Sequence, residues 1–265
     1  MRKRRDEKIL QAVRANVGIQ AAYRRKLDNL VRSMHKSFCY WIAAAYKANP
    51  PEMAMDEATA ASQLRIAINK LVRQWQRRFD QASMDLAKYF ATAANKRSDA
   101  VLREILKKGG WTVRFVITPE MRDVMKAAIA ENVSLIRSIP QQYLTNVAGD
   151  VYRSVQAGRD LGTLTKQLEK QYGVTRRRAA LIARDQNQKM TTMFQRVRQT
   201  ELGIAEAIWV HSGGGKTQRR THVAQSGKRY NIETGFWDSD EKAYCWPGSL
   251  INCRCVSRPV IRGFS

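Results

Sequence analysis

The sequence predicts a mainly α-helical protein with an extended amino-terminal helical hairpin and a small α+β module at its carboxyl end. Three observations carry that prediction. Apolar residues recur at threes and fours through most of the chain up to Leu202. Proline and glycine punctuate that periodicity at few places. Beyond Gly203 the texture changes to short β-branched and aromatic runs separated by Gly, Trp and Cys.

Taken in order, Leu10, Val13, Val17, Leu27, Leu30, Val31, Met34, Phe38, Trp41 and Ala45 give a helical stripe from about Asp6 to Lys47. Asn49-Pro50-Pro51 ends it, because proline lacks an amide donor and biases its predecessor out of the helical region. A second long helix begins near Asp56, with Leu64, Ile68, Leu71, Trp75, Phe79, Ala82, Leu86 and Phe90 on one face. A short helix, Asp99 to Lys108, closes at Gly109-Gly110, where glycine accepts the left-handed cap conformation. Trp111 to Ile117, rich in aromatic and β-branched residues, reads as a strand. Thr118-Pro119-Glu120 is a helix start, with Thr as N-cap and Pro at the first helical position. That helix runs to about Ser138, and Pro140 interrupts it or starts the next. Further helices are expected over Gln141 to Ala157, over Thr163 to Tyr172 with Gly173 as cap, and from Thr175 to Leu202. Glu206 to His211 reads as a strand and Ser212-Gly213-Gly214-Gly215 as a turn. Three regions follow: 1–110, helical and offered for partner contact because a long apolar stripe needs covering; 111–203, a helical middle; and 204–265, the α+β module.

Charge is the strongest global signal: 47 Lys+Arg against 23 Asp+Glu leave a formal net charge of +24 on 265 residues. Such a chain associates with polyanions, since each neutralised phosphate releases a condensed counterion. The bases are uneven, with a balance of +8 over Met1 to Lys36 and +10 over Lys166 to Arg229. Arg2, Lys3, Arg4, Arg5, Arg176, Arg177, Arg178, Arg219 and Arg220 are the candidate DNA-facing residues. No base-reading pattern accompanies them, so they imply phosphate contacts that ignore sequence. The competing readings are a surface matched to an acidic protein, and, for Arg2 to Arg5, a tail that aids solubility. Met1-Arg2-Lys3-Arg4-Arg5 runs into charged residues and not into an apolar leader, and the longest apolar run, Phe38 to Tyr46, is far below the ~18 residues of a membrane span. Cytoplasmic synthesis and no membrane association are expected.

Cys253-x-Cys255 brings two thiols close, and Cys245 and His222 complete a soft tetrahedral set suited to one structural zinc, with His211 as substitute if Cys245 points away. The alternative is that these cysteines are small buried hydrophobes or become a disulfide outside the reducing cell. Catalytic readings are weaker. Gly213-Gly214-Gly215-Lys216-Thr217 lacks the length of a phosphate-binding loop. A Cys–His hydrolytic pair through His211 or His222 has no nameable third group, and a metal-dependent nuclease using His222 lacks a carboxylate cluster because Asp238, Asp240 and Glu241 fall in a predicted loop. His35, among apolar helix positions, reads as structural.

One ordered set of landmarks is more specific. Ala183-Arg184-Asp185-Gln186-Asn187 on a helix leads to Ala207-Ile208-Trp209-Val210, a glycine turn, Arg219-Arg220-Thr221-His222, Gly227-Lys228-Arg229-Tyr230, Pro247-Gly248, Asn252-Cys253-Arg254-Cys255 and Val260. This order, over roughly Gln141 to Ile261, resembles the Mu F-like minor head domain of tailed phages. Asp185-Gln186-Asn187 stands where that family more usually continues Thr-Glu-Thr, and Gly214-Gly215 where it has an acidic turn. The resemblance implies a non-enzymatic minor capsid protein of head morphogenesis, located in the virion at the head interior or portal vertex. Its implied partners are portal protein and major capsid or scaffold protein, with non-specific double-stranded DNA met through the basic surface. A nuclease and a stand-alone DNA-binding module are the rival classes.

Overall fold

The computed structural model describes residues 7–48, 57–156, 161–214 and 217–262. Four long helices dominate: α1 (Val17–Ala48), α2 (Glu57–Lys108), α3 (Pro119–Gln156) and α4 (Leu161–Glu201). They are preceded by strand β1 (Glu7–Ile9) and followed by β2 (Glu206–Val210), the short helix α5 (Arg220–Gln225), β3 (Arg229–Asn231), β4 (Phe236–Asp238), β5 (Ala243–Cys245) and β6 (Val256–Arg262). The mainly helical class with a small carboxyl-terminal α+β module is therefore correct. Among the described residues no helix is long and apolar enough to cross a membrane.

The chain divides into two compact units. One is built from 21–88 and 130–183, the other from 1–20, 89–129 and 184–265. In the first, Tyr23, Leu27, Val31, Met34, Phe38 and Ile42 of α1 are at most 1% exposed, and Ile68, Trp75 and Phe79 of α2 at most 2%. The apolar stripe is thus covered within the chain, which removes the argument that it needs an outside partner. Trp41 departs from the stripe assigned to it: with Tyr40 it stands exposed in an edge-to-face pair. His35 is structural as expected, with Nδ1 3.0 Å from Tyr143 Oη, Nε2 3.0 Å from Glu169 Oε1, and its ring stacked on Tyr172.

Several expected breaks are absent, for reasons visible in the packing. α3 continues through Pro140, because Ile136, Ile139, Tyr143, Leu144 and Val147 share one buried face whose burial outweighs the roughly 3 kcal/mol cost of an interior proline. α4 continues through Gly173, and Thr175, expected to open a helix, bonds back to the Gln171 carbonyl at 2.8 Å. α2 likewise takes in the short helix expected from Asp99.

In the second unit the first described residues form a strand and not a helix: Glu7, Lys8 and Ile9 pair antiparallel with Arg262, Ile261 and Val260. α1 starts only at Val17, where Asn16 Oδ1 accepts from the Ile19 amide at 3.0 Å as an N-cap. The four-stranded sheet has the order β1-β6-β2-β3, and β4 and β5 form a separate antiparallel pair. Arg229 ties Glu7 to Glu206, and Arg262 pairs with the same two carboxylates. Trp111 to Ile117 forms no strand. Its alternation is real, but the half-buried Trp111, Val113 and Phe115 pack on Leu10, Val13, Leu102 and Leu106 without a ladder partner. Three of the predicted caps hold, unlike that at Gly173: Met121 N donates to Thr118 Oγ1 at 3.1 Å, and Gly110 and Gly203 close α2 and α4 with positive φ.

Candidate functional site: a buried His–Cys–Cys cluster

β2 carries Trp209 into a small core with Ile204, Ala207, Tyr230, Ile232, Cys253 and Cys255. α5 then delivers His222 edge-on to the Trp209 ring, 4.9 Å between centroids. His222, Cys253 and Cys255 are all buried, and one ligand atom from each lies within 4.8 Å of the others. His222 Nδ1 is 3.4 Å from Cys253 Sγ and 3.7 Å from Cys255 Sγ. The Gly248 amide points at Cys253 Sγ from 3.3 Å.

The loop bearing the two cysteines is held by α4. Asp185 Oδ1 accepts from the Asn252 amide at 2.7 Å, Arg184 donates to Asn252 Oδ1 at 2.9 Å, and Gln188 donates to the Cys255 carbonyl at 3.1 Å. Asn187 bonds the Asn16 carbonyl at 3.0 Å. Asp185 and Asn187, two of the polar positions at which the sequence departs from the pattern it resembles, thus help fix the loop and the chain before α1. Gly248 is required where it stands: with φ at 81°, a Cβ there would sit 2.5 Å from Thr192 Oγ1.

Asp238 corrects two sequence expectations. It lies at the end of β4, fully buried, and not in a loop away from His222. Its Oδ2 is 3.1 Å from His222 Nε2 and accepts from Thr221 Oγ1 at 2.9 Å. Oδ1 accepts from the Asp240 and Glu241 amides at 3.0 and 3.3 Å. His222 Nε2 is at ion-pair distance but off the line of an N–H···O bond. Burial works to raise the Asp238 pKa, but the Thr221 hydroxyl, the two amides and His222 outweigh it and hold the carboxyl below its usual range. A third group behind the histidine therefore exists. Hydrolytic use of Cys253–His222–Asp238 is nonetheless obstructed, since Cys253 is 6% and His222 2% exposed.

The Cys253 thiol is pushed down, first by the hydrogen bond from Cys255 and then by His222, while the Cys255 thiol is pushed up by the same pairing and by burial. Cys245 is buried and bonds the Ala243 carbonyl, outside the three-residue cluster. His211, the substitute ligand, instead accepts from the Gly213 amide through Nδ1.

The basic candidates fare unequally. Arg2, Lys3, Arg4 and Arg5 lie outside the described residues. Arg177 and Arg220 are exposed. Arg178 is exposed and donates to Ser138, and Arg176 pairs with Asp28. Arg219 is engaged internally, bonding Glu241 and the Ile251 carbonyl. Sequence reasoning missed a groove along α2 lined by Lys70, Arg73, Gln74, Arg77, Arg78 and Gln81. Its signal was available: no acidic residue occurs between Arg65 and Arg78.

Residues 145–258 match the family described as Phage Mu protein F like protein. An uncharacterized protein of Haemophilus influenzae is 27% identical over 248 residues, covering 90% of this chain. The chain spans about half, 52%, of that relative's length. No solved structure matches.

Proposed function

We propose that the chain is a minor head protein of a tailed phage, joining the portal vertex during procapsid assembly and meeting packaged DNA through sequence-independent phosphate contacts. The carrying observation is the family match over residues 145–258, whose landmarks are gathered in the structure around one buried core. The reading makes it a structural virion component without turnover. Major capsid or scaffold protein is the second partner proposed. Arg177 and Arg220, together with the α2 groove at Arg73 and Arg77, supply exposed cationic surface for DNA.

The test is co-expression of the full chain with the portal protein encoded beside it, followed by affinity purification with nuclease present. Co-elution that survives nuclease supports the proposal. Loss of co-elution on nuclease treatment reduces the chain to a DNA-binding module. Metal-dependent cutting of DNA, abolished by His222→Ala in a folded protein, makes it an enzyme instead.

A further inference from the structure

We propose that His222 Nδ1, Cys253 Sγ and Cys255 Sγ bind one zinc ion, with Asp238 as the positioning residue behind the histidine and Cys245 outside the ligand set. The inference stands on the cluster's geometry and holds or fails apart from the role in head assembly.

The spacing already fits the ion. Zn–S bonds of about 2.3 Å and a Zn–N bond of about 2.0–2.1 Å, set at tetrahedral angles, place nitrogen and sulfur about 3.6 Å apart. The two N–S separations here, 3.4 and 3.7 Å, bracket that edge. Donor softness fits as well, since two thiolates and an imidazole are a borderline-soft set.

The surroundings point the same way. Metal-bound histidines usually face a carboxylate or carbonyl on their other nitrogen, which fixes the ring and its tautomer. Asp238 occupies that place, itself held by Thr221 and two backbone amides. Small rotation of the imidazole would bring its Nε2–H into line with Asp238. Two N–H groups also attend the sulfurs. Gly248 N–H addresses Cys253, while the indole N–H of Trp209, which shares a buried core with Cys255, makes no hydrogen bond although the residue is 0% exposed. A buried indole N–H without an acceptor is costly, and a metal-bound thiolate beside it is the anionic acceptor it lacks.

The consequence is a staple. Zinc would join α5 to the Cys253–Cys255 segment, which belongs to no helix or strand.

The experiment uses the full chain, expressed with added zinc and purified without chelator. Elemental analysis gives metal per chain, and cobalt(II) replacement gives the sulfur-to-cobalt charge-transfer absorption, whose intensity counts thiolates. The expected result is one zinc per chain and a two-thiolate cobalt spectrum, roughly halved in Cys253→Ser or Cys255→Ser and unchanged in Cys245→Ser. Asp238→Asn should keep the stoichiometry while weakening retention against a competing chelator by about 10- to 100-fold. Should the cysteine variants fail to fold, the wild-type chain decides: removing metal lowers its melting temperature and zinc alone restores it. Near-zero metal in folded protein, a melting temperature indifferent to chelator and zinc, or loss of cobalt absorption in Cys245→Ser overturns the proposal.

Discussion

Replacing Arg198 by Met should cost about 3–5 kcal/mol, the penalty for breaking a buried ion pair from one side. Arg198 is 1% exposed, and its guanidinium donates to both Asp99 carboxylate oxygens at 2.9 and 2.8 Å, to Glu201 at 2.8 Å and to the Val116 carbonyl at 2.8 Å. It also lies over the Phe115 ring. Burial works against its charge, but the bonds to Asp99 and Glu201 outweigh that and raise its pKa above the usual value. Methionine fills similar space while leaving Asp99 with its charge and no partner. Each kcal/mol shifts a melting temperature by roughly 2–4 °C at this size, so a fall on the order of 10 °C is expected. Urea unfolding followed by tryptophan fluorescence gives the free energy directly. Arg198→Lys, which keeps the charge but loses the fork, should fall between the two. Adding Asp99→Leu to Arg198→Met should recover much of the loss, because both buried charges are then gone. If Arg198→Met alone stays within about 0.5 kcal/mol of wild type, as surface changes do, the pair is not what joins α4 to α2.

Three further outcomes are expected. Gly248→Ala forces a side chain into left-handed backbone against Thr192 and should destabilise by about 1–3 kcal/mol, read as a lowered urea midpoint. Trp209→Ala empties the centre of the carboxyl-terminal core and should cost about 3–5 kcal/mol, with the loss confined by hydrogen exchange to the sheet module and its contacts. The Tyr230 hydroxyl, pushed up to about 12 by burial against its ordinary 10, favours the neutral form in the folded chain. Its contribution is therefore complete below pH 10 and is lost as pH rises through 12, by roughly 2–3 kcal/mol, so Tyr230→Phe should flatten the alkaline stability profile. An unchanged profile would show that Tyr230 ionises as freely folded as unfolded.

Periodicity and punctuation carried most of the helical architecture, because Leu27, Val31, Met34 and Phe38 bury one face at helical spacing and Gly110 and Gly203 adopt the positive φ that ends a helix. The misses share one cause, which is that local signals do not announce tertiary partners. Pro140 and Gly173 looked like breaks, yet burial along the rest of each helix overrides a local cost. Leu10 and Val13 fit a helical stripe by spacing, but the strand before them pairs with residues near the other end of the chain. Trp111 to Phe115 alternates correctly for extended backbone, and alternation says nothing about whether a ladder partner exists. In the cluster, the Cys-x-Cys spacing and His222 were legible, and the structure brings those three together. Asp238 was not, since its approach to His222 depends on β4 and β5 pairing across a turn that no motif marks. Cys245, expected on donor chemistry to complete the set, instead bonds the Ala243 carbonyl outside the three.

The proposed role in head assembly is tested most directly on phage particles produced from the genome that encodes this chain. Purified heads should contain the protein in few copies relative to the major capsid protein, and deletion of its coding sequence should abolish infectious particles, with a plasmid copy restoring them. Infectious particles that form normally and never contain the protein would contradict the account.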